Sequence, residues 1–247
     1  MPAQGIRVDK SEDRVRRMFA EIAPRYDFLN HALSLNIDRY WRWRTLQILR
    51  LQPGEPVLDV CTGTGDLALS AAKQLGPETE IVGTDFCTEM LDIARQKQTK
   101  GYRDLSRLRF LEADTMHLPF EEHTFQAVMV AFGLRNIADT DAGVREMLRV
   151  CKPSGQVAIL EFSKPALPVL KHGYEFYFRQ ILPRVGNSVA KNSSDAYRYL
   201  PESVIEFPSG EQLADRLRAA GLENVRCFPM TLGVVTLYIG QKPARIS

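Results

Sequence analysis

The densest chemistry in the chain lies in one stretch, Val57-Leu58-Asp59-Val60-Cys61-Thr62-Gly63-Thr64-Gly65-Asp66-Leu67. An apolar run of strand type leads into a loop of small residues, and an apolar-periodic helix begins directly after it. Backbone N–H groups packed at such a helix N-terminus make a seat for a polar ligand. Asp85 follows Gly65 by 20 residues and ends a second apolar run, Ile81-Val82-Gly83-Thr84. A carboxylate at that place accepts hydrogen bonds from ribose hydroxyls. The chemistry is that of a nucleotide-like cofactor held at the carboxyl ends of the first two strands, and the glycine loop alone does not choose which cofactor.

The elements that must position these residues are legible in the periodicity. Between 56 and 162 strands and helices alternate: strands over 56–61, 80–85, 107–112, 124–131 and 155–162, helices over 65–75, 88–99 and 139–151. Alternation at these lengths predicts a parallel sheet with helices on both faces. Lys152-Pro153-Ser154-Gly155 punctuates the last of these strands as a turn. Further on, Ser209-Gly210-Glu211-Gln212 opens a helix that Gly221 ends. Strands over 224–230 and 233–240, separated by Thr231 and Leu232, predict an antiparallel pair. A mostly parallel α/β sheet of seven strands closed by such a pair is the Rossmann-like shape of the class I methyltransferase fold.

Two regions stand outside that alternation. Residues 11–50 read as three helices, with Val15, Met18, Phe19 and Ile22 on one apolar face and Pro24 ending the first. Residues 1–52 therefore form a helical cap ahead of a main domain over 53–247. Pro165, Pro168 and Pro183 flank an aromatic helix at 168–182, and Asn192 to Leu200 is an unusual polar-aromatic segment. The span 165–205 reads as an insertion covering the site.

Charge and cysteine usage remove several function classes. The net charge is +2, so the whole chain is no polyanion binder and nucleic acid is not an expected partner. Residues 1–50 hold ten Lys and Arg against six acids, which leaves the remainder net negative. That basic, amphipathic start suits a solvated helix face or peripheral contact with anionic lipid. Cysteines at 61, 87, 151 and 227 form no CxxC or Cys/His cluster, so no metal site is expected. Free thiols, no apolar run of about 18 residues and no apolar signal core predict a cytoplasmic protein, soluble or peripheral at the inner face of the membrane.

Longer motifs narrow the choice. Asp59 stands two residues before the alternating small residues Cys61, Gly63 and Gly65, an order that resembles motif I of S-adenosylmethionine-dependent methyltransferases with Cys61 in the first glycine slot. Residues 19–44 (Phe19-Ala20-Glu21-Ile22-Ala23-Pro24-Arg25-Tyr26-Asp27, Leu33-Ser34, Arg39-Tyr40-Trp41-Arg42) resemble the N-terminal signature of the ubiquinone/menaquinone biosynthesis C-methyltransferases. Phe132-Gly133-Leu134-Arg135-Asn136-Ile137, Glu161-Phe162-Ser163-Lys164-Pro165 and Asp195-Ala196-Tyr197-Arg198-Tyr199-Leu200-Pro201-Glu202-Ser203 match that family as well. The resemblance runs from about residue 14 to residue 240.

The resemblance implies S-adenosyl-L-methionine as cofactor, bound by Asp59, Thr62, Gly63, Thr64, Gly65, Asp85, Phe86, Asp114, Thr115 and Ala131. Asp114 would accept from the adenine amino group. Ala131 stands where family members often carry Ser, so one polar contact is missing. The implied reaction methylates a ring carbon of a polyprenylated quinol, demethylmenaquinol or a methoxy-polyprenyl-benzoquinol. The reduced ring is required because a quinone ring is electron-poor.

Candidate groups toward the substrate are Arg135, to stabilise a developing phenolate, and Tyr197, Tyr199, Tyr26, Asp27 and His31, to supply hydrogen bonds or a base. Each also has a plainer reading. Tyr197 and Tyr199 suit half-buried packing, and Asp27 suits a pair with Arg25 or a helix cap. The aromatics of 11–50 and 168–182 suit a cover for the prenyl tail, core filling or a homodimer surface. An NAD-dependent oxidoreductase is disfavoured because G-x-G-x-x-G is not kept; Ala68 takes the third small position. A non-catalytic binding module is disfavoured by the completeness of the motif set.

Overall fold

The computed structural model describes residues 9–101, 105–165 and 194–244. Seven strands form one sheet in the order β3-β2-β1-β4-β5-β7-β6. They are β1 Val57–Val60, β2 Ile81–Asp85, β3 Leu108–Glu112, β4 Phe125–Ala131, β5 Cys151–Phe162, β6 Glu223–Met230 and β7 Val235–Gln241. β7 alone runs against its neighbours, pairing antiparallel with both β5 and β6. This is the class I methyltransferase fold expected from the sequence.

Helices α3 (Asp66–Leu75), α4 (Thr88–Gly101) and α5 (Thr140–Val150) lie between the parallel strands. α6 (Ser194–Glu206) and α7 (Glu211–Ala219) precede the closing pair. Alternate residues of each strand feed two cores. Val57, Ala127 and Met129 face a core shared with Leu67, Ala71 and Leu91, to which Trp41, Leu46 and Leu49 also belong. Leu58, Val60, Val128 and Val130 face the other, with Val144, Met147, Leu213 and Leu217. The inner strands β1, β2, β4 and β7 are buried on both faces, so they read as apolar runs without alternation, while the edge strands β3 and β6 are partly exposed.

Two local readings are corrected. Residues 12–49 form two helices, α1 (Glu12–Leu33) and α2 (Ile37–Leu49), and α1 passes through Pro24 without stopping. An interior proline costs a helix about 3 kcal/mol. Burial of Val15 and Met18 before it and Ala23 and Leu29 around and beyond it outweighs that cost. The chain turns instead at Leu35 and Asn36, both at left-handed φ (+53° and +62°).

The turn at Lys152–Gly155 is a bulge within β5: Cys151 pairs with Phe125 and Gln156 with Ala127, and Ser154 adopts φ +63°. The segment after Asn192 is helical from Ser194, again with a proline, Pro201, inside. The aromatic helix expected at 168–182, and most of the insertion at 165–205, lie outside the described residues.

Candidate active site

A cleft opens at the carboxyl ends of β1 to β4. Strand order reverses between β1 and β4, which is where open α/β sheets bind ligands. Gly63, Asp85, Phe86, Asp114, Thr115 and Ala131 line the cleft, as does Cys61. Thr62, Thr64, Gly65 and Asp59 are not in its wall and stand behind it.

The glycine loop is built for close approach. Gly63 and Gly65 both take left-handed φ (+55° and +81°). A Cβ on Gly65 would come within 2.8 Å of the Phe110 ring, so only glycine fits. Cys61 also sits at φ +50°, and its thiol is accommodated from across the cleft floor. A Cβ on Gly133 would lie 2.4 Å from the Cys61 Cβ. Burial pushes the Cys61 thiol well up, so the residue is a small filler in a glycine slot, as its spacing predicts.

Three carboxylates surround the loop. Asp85 accepts from the backbone N–H of Gly63 (2.8 Å) and of Cys87 (2.9 Å). Burial nevertheless raises its pKa to about 6, and those N–H bonds only moderate the shift. Asp59 accepts from Thr62 Oγ1 (2.6 Å) through one oxygen; its other oxygen is buried with no close partner among the described residues, and the Ala68 backbone N–H only partly offsets its burial. Burial lifts its pKa to about 7. Asp114 accepts from the Met116 N–H and contacts His117 Nδ1 (2.8 Å). The buried Thr115 hydroxyl lies 3.4 Å from the Cys61 sulfur.

Helix α1 roofs the cleft with Phe19 and Tyr26, and Lys10 and Glu12 line it from the start of the same segment. Burial raises the Tyr26 phenol. Asp27, the neighbour of Tyr26, faces the loop instead of the cleft. Thr64 Oγ1 donates to it (2.5 Å) and Lys97 Nζ pairs with it (2.8 Å). The same Lys97 pairs with Asp66. His31 contacts Asp38 (2.9 Å), which Arg42 also pairs with (2.5 Å). His31, Asp38 and Asp66 place three potential ligand atoms within 4.8 Å, where Arg42 and Lys97 already supply positive charge. The network joins α1, α2 and the glycine loop, and His31 does not line the cleft.

Arg135 is buried and does not line the cleft either. Its guanidinium donates to Glu161 (2.8 Å) and to the Phe132 carbonyl (2.5 Å), and Nε has no partner among the described residues. The next residue, Asn136, is in the wall and accepts from the Tyr199 hydroxyl (3.2 Å). Burial pushes the Tyr199 phenol up to about 12, so at neutral pH it is a donor. Tyr197 lies on α6, with its side chain outside the described residues.

The sequence does not single out Lys10, Glu12, Met90, Met116 or Asn136 as site residues, and it marks Phe19 only as part of an apolar face and of the 19–44 signature. Asn136 was reachable, since it sits within the Phe132–Ile137 motif. The apolar ones carry only ordinary helix and loop signals.

The model of the ubiE/COQ5 methyltransferase family matches residues 7–242. The chain is 45% identical over 230 residues to the ubiquinone/menaquinone biosynthesis C-methyltransferase UbiE of Citrifermentans bemidjiense, covering 93% of this chain and 97% of that protein. It is also 45% identical over 241 residues to the demethylmenaquinone methyltransferase of Deinococcus radiodurans, covering 98% and 97%. Among solved structures, a SAM dependent methyltransferase from Aquifex aeolicus superposes with a TM-score of 0.61 at 18% identity, over 83% of this chain and 92% of that one; that likeness shows the fold. With the cleft, the glycine loop and these matches together, the chain belongs to the ubiE/COQ5 methyltransferase family.

Proposed function

We propose that the chain transfers a methyl group from S-adenosyl-L-methionine to a ring carbon of a polyprenylated quinol, demethylmenaquinol. The carrying observation is a cleft at the strand-order reversal, edged by Asp85 and Asp114, in a member of a methyltransferase family. The residues fit a cationic cofactor. Asp85 and Asp114 put two carboxylates in the wall, Asp59 adds a third behind it, and Gly63 adds no side chain to the wall. Asp85 would take ribose hydroxyls, with Asp114 and Thr115 at the adenine and Phe86 and Ala131 completing the wall. Thr62, Thr64 and Gly65 hold the loop from behind. S-adenosylmethionine, when bound, supplies an electrophilic methyl group.

The chain's own part is positioning and charge. Phe19, Met90, Met116, Phe132 and Ile137 give the cleft an apolar stretch of wall. The quinol carbon becomes nucleophilic when the neighbouring hydroxyl gives up its proton or donates strongly. With Asp85, Asp114 and Thr115 given to the cofactor, Glu12, Tyr26 and Asn136 are wall side chains left to receive that hydroxyl, Glu12 being paired with Arg16 (3.3 Å). The ring proton must then leave, and Glu12 is a carboxylate in the wall able to accept it. Tyr199 orients Asn136, and Arg135 fixes the Phe132–Ile137 loop, so both act as positioning residues. Asp27 and His31 serve the network that holds α1 over the loop. The polyprenyl tail makes a lipid surface a partner in this reading.

An anaerobic assay tests it: purified chain, S-adenosylmethionine and a reduced demethylmenaquinone analogue, with the quinol mass as readout. Methylated naphthoquinol is expected. Product from the methoxy-polyprenyl-benzoquinol alone would move the substrate to the ubiquinone branch, and no product from either would refute the reading.

A further inference from the structure

The corner between α1 and α2 presents large apolar side chains to solvent. Phe28 is 64% exposed, Leu35 80%, Tyr40 50% and Trp43 52%. Leu35 is the telling one. It holds a left-handed φ of +53°, which disfavours leucine, and it gains no burial in exchange. Tyr40 and Trp43 lie side by side, with ring centroids 5.9 Å apart.

The exposed charge on the corner between residues 22 and 50 is positive, with Glu21 one turn before Arg25 as the nearest exposed acid on α1. The only acids between residues 22 and 50 are Asp27 and Asp38, and both turn inward. Asp27 pairs with Lys97, and buried Asp38 pairs with Arg42 and His31. Arg25, Arg39, Arg44 and Arg50 are exposed. Tryptophan and tyrosine between arginines is the composition that settles at the headgroup level of an anionic bilayer.

We infer that the α1–α2 corner docks on an anionic lipid bilayer, with Leu35, Trp43, Phe28 and Tyr40 entering the interface and Arg39 and Arg44 binding headgroups. The purpose of the docking rests on the quinol reading. α1 lines the cleft with Phe19 and Tyr26, so a docked corner holds the cleft beside the phase in which a polyprenyl chain dissolves. The surface itself stands on exposure, backbone and charge.

The test uses the full chain with vesicles of phosphatidylcholine alone or mixed with phosphatidylglycerol. The chain has two tryptophans. Trp41 is 3% exposed, so a blue shift of emission on adding vesicles reports Trp43. Flotation and a blue shift with the mixed vesicles only are expected, and Trp43→Phe should abolish the shift. The paired variant Arg39→Glu with Arg44→Glu should weaken binding at least about tenfold. Leu35→Asn should weaken it too, while keeping a residue that accepts left-handed backbone.

Absence of flotation with the mixed vesicles overturns the proposal, as does flotation that Leu35→Asn and the arginine pair both retain. A monomer–dimer equilibrium that Leu35→Asn abolishes, with no vesicle binding, assigns the corner to a second copy and also overturns it. A short-tailed, water-soluble quinol separates the two readings, because the corner variants should methylate it at the wild-type rate. A chain that floats yet methylates no quinol keeps the docking surface and defeats the quinol reading.

Discussion

Single residues at the loop act through charge and close contact. Asp59 and Asp85 both hold pKa values raised by burial, to about 7 and about 6. A raised carboxyl binds its proton more tightly in the folded chain than in the unfolded one. The stability of the free protein due to these groups therefore falls as pH rises from about 4 to about 7. A cationic ligand favours the ionised forms, so S-adenosylmethionine affinity by calorimetry should rise over pH 5.5 to 8. Asp59→Asn should raise the Tm of the free chain at pH 8 and weaken the cofactor about tenfold or more. Gly133→Ala should destabilise by about 1–3 kcal/mol, because its methyl would meet the Cys61 Cβ at 2.4 Å. Adding Cys61→Gly should recover most of that in a double-mutant cycle of denaturant titrations. Arg135→Ala strands a fully buried Glu161 carboxylate and should cost about 3–5 kcal/mol. Arg135→Lys, which keeps the charge, should retain cofactor affinity and lower kcat.

Elements carry the site by how they are tied together. α1 reaches across the cleft, packed on Cys87, Met90 and Tyr199 and tied by polar contacts: Asp27 to Thr64 of the loop and Lys97 of α4, and Arg16 to Glu112 at the end of β3 (3.2 Å). These groups are only partly buried, so each contributes little alone and the set acts together. Lys97→Met leaves Asp27 and Asp66 facing each other without their shared cation. Amide exchange in α1 should then quicken, with local protection falling by about 1–2 kcal/mol, and cofactor affinity should fall several-fold. Protection and affinity that both stay at wild-type levels would show that apolar packing alone holds the roof.

At the scale of the whole molecule, a ligand bound across the ends of β1 to β3 stabilises the sheet by mass action. S-adenosylhomocysteine at a hundred times its Kd should add about 2.7 kcal/mol to unfolding, read as a rise in Tm, and NAD should add nothing. The sheet and the acidic edge of the cleft, Asp85 and Asp114, were legible in the chain because they rest on local signals. Buried strands are apolar runs, Gly63 and Gly65 mark a loop that needs left-handed backbone, and Asp85 and Asp114 stand at strand ends. Pro24 misled because helix breaking is a local cost, while the packing that carries α1 through it comes from residues distant in sequence. The same holds for roles. Sequence alone put Arg135, Asp27 and His31 beside the substrate, since motif membership marks a residue without saying which way it faces. Only the tertiary structure turned Arg135 inward onto Glu161, gave Asp27 to Lys97, and brought Asn136 and Tyr26 into the wall. The strands and the glycine loop follow from local pattern; the order of the strands and the direction of each side chain follow from which apolar surfaces and charges the fold brings together.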